Sequence, residues 1–283
     1  MKTDQVRQLV SQGTETLMAE LEAGRSRQLV QYLAAMGRFH RYSLGNAILI
    51  WLQMPTASRV AGFHTWHQVG RRVRKGEHGI AILAPIVRRV AKDDQDEEES
   101  EVMAFKSTHV FDISQTEGQP LPEFAAVRGE PGSHLQRLHE FLGSRGIAVR
   151  YADLVSSIEG LSMGGKIVVR NDLPPAEQFS VTVHEAAHEL LNHHDKTITA
   201  SKTVRETEAE AVAFVVSAAI GLETNHAASD YIKLYDGKKE TLLASLERIR
   251  NVSSEIIRGI LDPEPGKLIE AVPEQAATTA VAA

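Results

Sequence analysis

"VTVHEAAHELLNHH", residues 181–194, is the stretch on which the fold reading turns. If it is helical, His184 and His188 stand four apart on one face and can aim two imidazoles at one ion, with Glu185 beside them. A carboxylate so placed could take a proton from water activated by the ion, which is the chemistry this H-E-x-x-H spacing serves. In a chain with twelve His, chance alone produces such a pattern about a few per cent of the time, so the flanking residues decide. Phe179, Val183, Ala186, Ala187, Leu190 and Leu191 form an apolar stripe of helical period across residues 176–192, and Pro174 and Pro175 stand at its start. "KIVVR", residues 166–170, reads as a strand just before it, so the local order is strand, turn, helix.

Two imidazoles hold a cation weakly, and a catalytic site adds a third protein ligand while leaving one position open. The next helical stretch, "TVRETEAEAVAFVVSAAIGL" from Thr203, offers Glu206, Glu208 and Glu210. Glu206 and Glu210 share a face with Ala213, whereas Glu208 is rotated by roughly 200° and is expected to meet water. Glu206 is therefore the candidate third ligand, and Glu210 the acceptor that orients a ligand imidazole. The alternative is an amphipathic helix with all three carboxylates in solvent. His193 and His194 are expected to cap the helix end, where positive charge is favoured. Tyr231, in a short helix read around residues 229–235, is a candidate donor to an oxyanion and completes the catalytic set with Glu185; a buried structural Tyr is the competing reading.

A chain of 283 residues with 42% apolar side chains is long enough for two domains. The lack of any Cys excludes disulfides and thiolate-bound zinc, leaves His, Asp and Glu to hold a metal, and suits a reducing compartment. "MKTDQVRQLVSQG" lacks the apolar core of a secretory signal and no stretch approaches a membrane span, so a cytoplasmic location is expected. Charge is uneven. Residues 1–90 hold thirteen Lys and Arg against five Asp and Glu, a balance of +8 that leaves −14 for the remainder. An anionic partner such as nucleic acid would then meet the N-terminal part only.

The patterning divides the chain into a first domain over 1–113, a Gly-, Pro- and Gln-rich linker over 114–132, a second domain over 133–262, and an Ala-, Pro- and Glu-rich tail over 263–283 expected to be disordered. In the first domain, helical spacing recurs at Val6, Leu9, Val10, Leu17 and Leu21 and again at Leu29, Leu33, Met36 and Phe39. A third helix starts from an N-cap at Ser43. "IAILAP", "IVRRV", "EVMAF" and "THVFD" read as strands, with "KDDQDEEESE" as a solvated hairpin tip. "GRRVRKGEHG" places Arg71, Arg72, Arg74 and Lys75 beside three glycines, so cations and backbone N–H groups can approach phosphates. With Arg41, Tyr42 and Trp66 nearby in sequence, this suits unstacked single-stranded bases. Trp66 divides evenly between that role and the core, and Trp51, amid "AILIWL", is read as core.

"HEAAHELLNHH" followed by "ETEAEAVAF" resembles the gluzincin-type domain of the ImmA/IrrE metallo-endopeptidases, whose pattern is H-E-x-x-H and then E-x-E-A-N-x-F-A. That resemblance implies His184, His188 and Glu206 as ligands of Zn2+, with Mn2+ or another divalent ion as alternatives, and Glu185 as general base. The chain departs from the pattern at Glu210 and Val212, where Asn and Phe are usual, and lacks the L-L-M-P run that often follows. The block "YSLGNAILIWLQMPTASRVAGFHTWHQVGRRVRKGEHGIAILAP" resembles the N-terminal single-stranded-DNA-binding domain of ArdC-like antirestriction proteins, with its Tyr, Asn, Gln-x-Pro, Gly-Phe, Trp and R-x-x-K-G-E-x-G. Together the two blocks cover about residues 1–260. They imply an α+β chain of two domains, a small basic nucleic-acid-binding domain and a gluzincin-like zincin domain, with single-stranded DNA and a protein substrate as partners. Two other functions are compatible with the resemblance: DNA protection without proteolysis around a structural metal, and stress-responsive cleavage of a repressor.

Overall fold

The computed structural model describes residues 1–91, 98–119, 130–155, 158–195, 200–222 and 239–261, without the side chains of 88–91 and 98–101. The described residues divide into two units, one formed by those within 1–16 and 41–119, the other by those within 17–40 and 130–261. The division falls inside the first helix, α1 (Thr3–Glu22), so α2 (Arg27–Arg38) lies in the second unit, although its sequence position groups it with the first. The reason is packing. Leu29, Tyr32, Leu33 and Met36 give α2 a buried stripe, and Gly37 lets it approach a later helix of the same unit so closely that a Cβ there would stand 2.7 Å from the Val215 carbonyl.

In the first unit, α3 (Leu44–Gln53) starts where Ser43 accepts a hydrogen bond from the Asn46 N–H, as its sequence leads one to expect. There follow β1 (Val60–Ala61), α4 (Phe63–Gln68), β2 (Arg71–Val73), β3 (Ile80–Ala91), β4 (Glu98–Asp112), a 3-10 turn at Ile113–Gln115 and β5 (Thr116–Gly118). β4 lies between β1 and β3, all antiparallel, which leaves one edge of β3 open. Two side chains of α3 close that edge. Asn46 donates to the Leu83 carbonyl at 2.8 Å and accepts from its N–H at 2.9 Å. Gln53, two helical turns on, makes the same pair with Ala81 at 2.8 and 3.0 Å. Behind them Val6, Leu49 and Ala81 form a core flanked by Leu9, Val10 and Leu83.

"IAILAP" and "IVRRV", expected as separate strands, are one strand with an irregularity at Ile86/Val87. Pro85 does not interrupt it because it shares the parity of Ala81 and Leu83, so its missing N–H falls on the open edge and costs no ladder bond. The expected linker also begins too early at residue 114. Asp112 accepts from the backbone N–H of Ser58, Arg59 and Ser114 at 2.7, 2.9 and 3.0 Å, and Gln115 accepts from Asp112 N–H at 2.9 Å. This polar box carries the chain into β5, which pairs with β2. Apolar patterning stops at 113, but order does not.

The second unit contains α5 (His134–Ser144), β6 (Ala148–Ala152), β7 (Gly160–Ser162), β8 (Lys166–Arg170), α6 (Pro175–Leu190), α7 (Lys202–Ala219) and α8 (Lys239–Leu261). β8 is central, parallel to β6 and antiparallel to β7, so β7 is an edge strand. α6 lies against β7 and β8, α7 against α6, and α8 against α7 and α5. Ile167 and Val169 of β8 and Phe179, Val183, Ala186 and Ala187 of α6 are fully buried, the stripe anticipated for that helix. The expected short helix at 229–235, residues 92–97 of the acidic tip and the tail at 263–283 lie outside the described residues, while residues 98–101 of that tip belong to β4. No described helix is long and apolar enough to cross a membrane.

Candidate metal centre

Pro174 and Pro175 open α6, and Ser201 opens α7 by accepting from the Val204 N–H at 3.2 Å. The two helices bring His184, His188 and Glu206 together. His184 Nε2 and His188 Nε2 are 3.2 Å apart, and Glu206 Oε2 lies 3.7 Å from the first and 3.5 Å from the second. The centre of that triangle is about 2.0 Å from each of its three corners. Metal–ligand bonds of Zn2+ to His nitrogen and carboxylate oxygen are also about 2.0–2.2 Å, so the donor set fits a cation of that size. Glu206 is about half exposed, at 51%, while His184 and His188 are mostly covered, so the cluster opens to solvent on the carboxylate side.

The crowding of these groups shows in their electrostatics. The hydrogen bond to His184 brings the Glu206 carboxyl down to about 2, helped by both imidazoles. Burial works to lower His184, but its contacts with Glu206 and Glu210 outweigh that and raise it to about 9. Burial, reinforced by the neighbouring His184, brings His188 down to about 4 and keeps it neutral, as a ligand must be. Glu210 Oε2 stands 3.3 Å from His184 Nδ1, the orienting contact expected of it. Glu185 is held above the usual carboxylate range, first by burial and then by Glu206 and Glu189. It packs on β7 so tightly that a Cβ on Gly160 would lie 2.7 Å from Glu185 Cγ and Oε1.

Two expectations are corrected. Glu208 does not meet water: it is 1% exposed, lies 3.2 Å from His193 Nε2, and is gripped by the Arg248 guanidinium of α8. The half-turn of rotation from Glu206 points it into neighbouring helices because α7 is covered on more than one face. Nor do His193 and His194 cap the helix end. Asn192 adopts the left-handed conformation, φ 54°, and folds the chain back so that the His193 N–H bonds the His188 carbonyl at 2.9 Å and the His193 ring meets the His188 ring, Nδ1 to Nδ1, at 2.9 Å. His194 sits 3.5 Å from Glu189. Glu189, unremarked in the sequence, accepts from the Ser162 hydroxyl at 2.6 Å and from the backbone N–H of Met163, Gly164 and Gly165 at 3.0, 2.8 and 2.7 Å. It thereby ties the β7–β8 turn to α6. Tyr231 lies outside the described residues.

Among the basic-loop candidates of the first unit, Trp66 is core: it is 3% exposed and donates its indole N–H to the Phe111 carbonyl at 2.8 Å. Tyr42 is half-buried and donates to the Val60 carbonyl at 3.2 Å. Arg41 is half-buried and is not without a partner. Arg71 is spent on β5, with bonds to Thr116 Oγ1 at 2.8 Å and the Gln119 carbonyl at 2.5 Å, and Arg74 on Glu77 at 2.7 Å and the Ser114 carbonyl at 2.6 Å. Arg72 and Lys75 are exposed and make no hydrogen bond or ion pair with other described residues.

Two imidazoles one helical turn apart and a carboxylate from the adjoining helix, set beside a three-stranded mixed sheet, define an α+β protein with a His/His/Glu cluster of metal-site type. Residues 5–111 match the N-terminal domain of anti-restriction factor ArdC. The fold is shared with the antirestriction protein ArdC of plasmid R388. Its metal-free crystal structure aligns with a TM-score of 0.53 at 16% identity, over 89% of this chain and 97% of that one. The Mn(II)-bound structure of the same protein gives 0.51 at 15% identity, over 90% and 99%. An uncharacterised protein of Bacillus anthracis is 26% identical over 80% of this chain, which spans about half, 46%, of that relative's length. Residues 5–111 are thus similar in sequence to the ArdC N-terminal domain, and the likeness to ArdC over the rest is one of fold.

Proposed function

We propose that this is an antirestriction protein acting in the cytoplasm, with a divalent-cation-dependent peptide-hydrolysing centre of zincin type in residues 133–262 and a surface for single-stranded DNA in residues 1–113. The observation that carries the first half is the triangle of His184 Nε2, His188 Nε2 and Glu206 Oε2, whose centre stands about 2.0 Å from each atom. Zn2+ suits this N/N/O set, and Mn(II), the ion in the R388 structure, is the second candidate. A divalent cation held there supplies a Lewis acid that polarises a carbonyl and acidifies water. Glu185, its carboxyl raised by burial, is the group that accepts the water proton and returns it to the leaving amine. Among the described residues β7 is an edge strand beside Glu185, along which an extended peptide can lie as an added strand. For DNA, the support is the ArdC N-terminal match together with the uncommitted Arg72 and Lys75.

Elemental analysis and a peptide-hydrolysis assay on the full chain test the centre. Wild type should retain one divalent ion, Glu206→Ala should lose it, and Glu185→Gln should keep the ion while hydrolysis drops by about 100-fold or more. Full cation retention by Glu206→Ala, or undiminished hydrolysis by Glu185→Gln, overturns the reading. A second reading, DNA protection without proteolysis, draws on the match of residues 5–111 to the N-terminal domain of ArdC. It predicts that Glu185→Gln protects incoming DNA as well as wild type does.

A further inference from the structure

His188 has a second ring nitrogen, and what it faces decides whether Nε2 is free to bind anything. Its Nδ1 stands 2.9 Å from His193 Nδ1, and His193 Nε2 stands 3.2 Å from Glu208 Oε2. The His193 and Glu208 side chains are both buried, 4% and 1% exposed. Neither group is loosely held. His193 is fixed through its backbone, its N–H on the His188 carbonyl at 2.9 Å and its carbonyl on Arg205 at 2.7 Å. Glu208 is fixed by Arg248, whose guanidinium also reaches Ser245 Oγ at 3.2 Å.

We propose that Glu208 is a positioning residue that, through His193, sets the ring tautomer of His188 so that Nε2 carries the lone pair turned toward His184 and Glu206. This rests on the cation centre proposed above and goes beyond it. An ionised carboxylate only accepts, so Glu208 requires a proton on His193 Nε2. Arg248 already balances the Glu208 charge, so a single ring proton suffices and His193 Nδ1 is left as an acceptor. The nitrogen facing it must then donate, which places the proton of His188 on Nδ1 and leaves Nε2 bare. Each link determines the next, and the Asn192 turn is what brings His193 under His188 to complete it.

The isosteric variant Glu208→Gln reverses the chain. Arg248 claims the amide oxygen, so the amide NH2 faces His193 Nε2 and donates to it. His193 then carries its proton on Nδ1 and donates to His188 Nδ1, which moves the His188 proton onto Nε2, the ligand atom. Two measurements on the full chain test this. Long-range 1H–15N spectra of the histidine-labelled, cation-stripped protein should show His188 protonated at Nδ1 in wild type and shifted toward Nε2 in Glu208→Gln. Competition against a chromophoric chelator should show Zn2+ held about 10- to 100-fold more weakly by Glu208→Gln and by His193→Phe than by wild type. Wild-type His188 protonated at Nε2 overturns the proposal without any variant. So does a Glu208→Gln protein of reduced melting temperature but unchanged tautomer and affinity, because Glu208 is then only a tie between α7 and α8. Failure of the cation centre looks different: wild type takes up no Zn2+, while the tautomer of stripped protein still reports on the relay.

Discussion

The double substitution Arg72→Ala, Lys75→Ala tests which cations of the basic loop meet DNA. Of the four basic side chains from 71 to 75, Arg71 and Arg74 are committed to β5, Glu77 and the Ser114 carbonyl, which leaves Arg72 and Lys75 as those whose charge is available to a phosphate. Each phosphate neutralised on a single strand contributes about 0.7 to the slope of log affinity against log salt, so the double variant should be shallower by about 1.4. Since that contribution scales with the logarithm of salt concentration, the same change weakens binding by about 14-fold at 0.15 M salt and by about 65-fold at 0.05 M. Anisotropy titrations of a labelled oligothymidine across that range read both quantities. Arg71→Ala should behave differently, costing about 1–2 kcal/mol of stability through its lost hydrogen bonds while leaving the slope near wild type. A slope unchanged in the double variant, or one lowered equally by Arg71→Ala, refutes the division of the loop into structural and contacting cations.

Three further outcomes are expected. Asp112 is buried; burial acts to raise its carboxyl, but its bonds from Ser114, Ser58 and Arg59 prevail and hold it below the usual range. Its stabilising contribution is therefore complete above the unfolded carboxyl value of about 4 and is lost as the pH falls through the lower folded one. Asp112→Asn should cost about 2–3 kcal/mol at neutral pH and flatten the acid limb of stability against pH. Urea unfolding followed by Trp fluorescence isolates this unit because both tryptophans, Trp51 and Trp66, are buried in it, and a wild-type-like acid limb counts against the assignment. Asn46→Leu, which strips the amide from the open edge of β3, should lower the stability of the same unit by about 2–4 kcal/mol, and a loss under about 1 kcal/mol would mean that the edge does not need it. Gly160→Ala places a Cβ 2.7 Å from Glu185 and Val181; hydrolysis should fall about 100-fold from misplacement of the carboxylate while cation uptake stays intact, and equal turnover by the two proteins argues against Glu185 as the base.

Some of this was open to reading in advance. A stripe with helical period identifies α6, and four-residue spacing within it and within α7 selects His184, His188, Glu206 and Glu210, because the geometry of one helix is local. The Asn and Gln of the N-terminal block were visible as a pattern but without a physical role, since their work is done against a strand some thirty residues away. β7 escaped notice for a similar reason. Three residues containing a glycine have no periodicity to detect, and their order depends on Glu189 holding the turn that follows. Trp66 could not be assigned from composition because a buried indole needs a partner for its N–H, and that partner, the Phe111 carbonyl, is remote in sequence.

The misjudgement of Glu208 is more instructive, because the sequence held the signal. Reasoning by rotation alone treats the side opposite Glu206 as solvent, which assumes a helix with one buried face. From Ala211 to Val216 every residue of α7 is apolar, and a helix apolar on all sides is an interior one. A carboxylate turned to the covered side of such a helix needs a cation, and among the described residues α8 downstream carries Arg248, Arg250 and Arg258. Arg248 reaches both oxygens of Glu208, and Oε2 can also take a ring N–H, which the His pair that follows "HELLN" supplies after a turn for which Asn is suited. A buried charge on a helix without a polar face therefore indicates a network that closes on residues far away, and in this chain the network ends on the imidazole proposed to hold the cation.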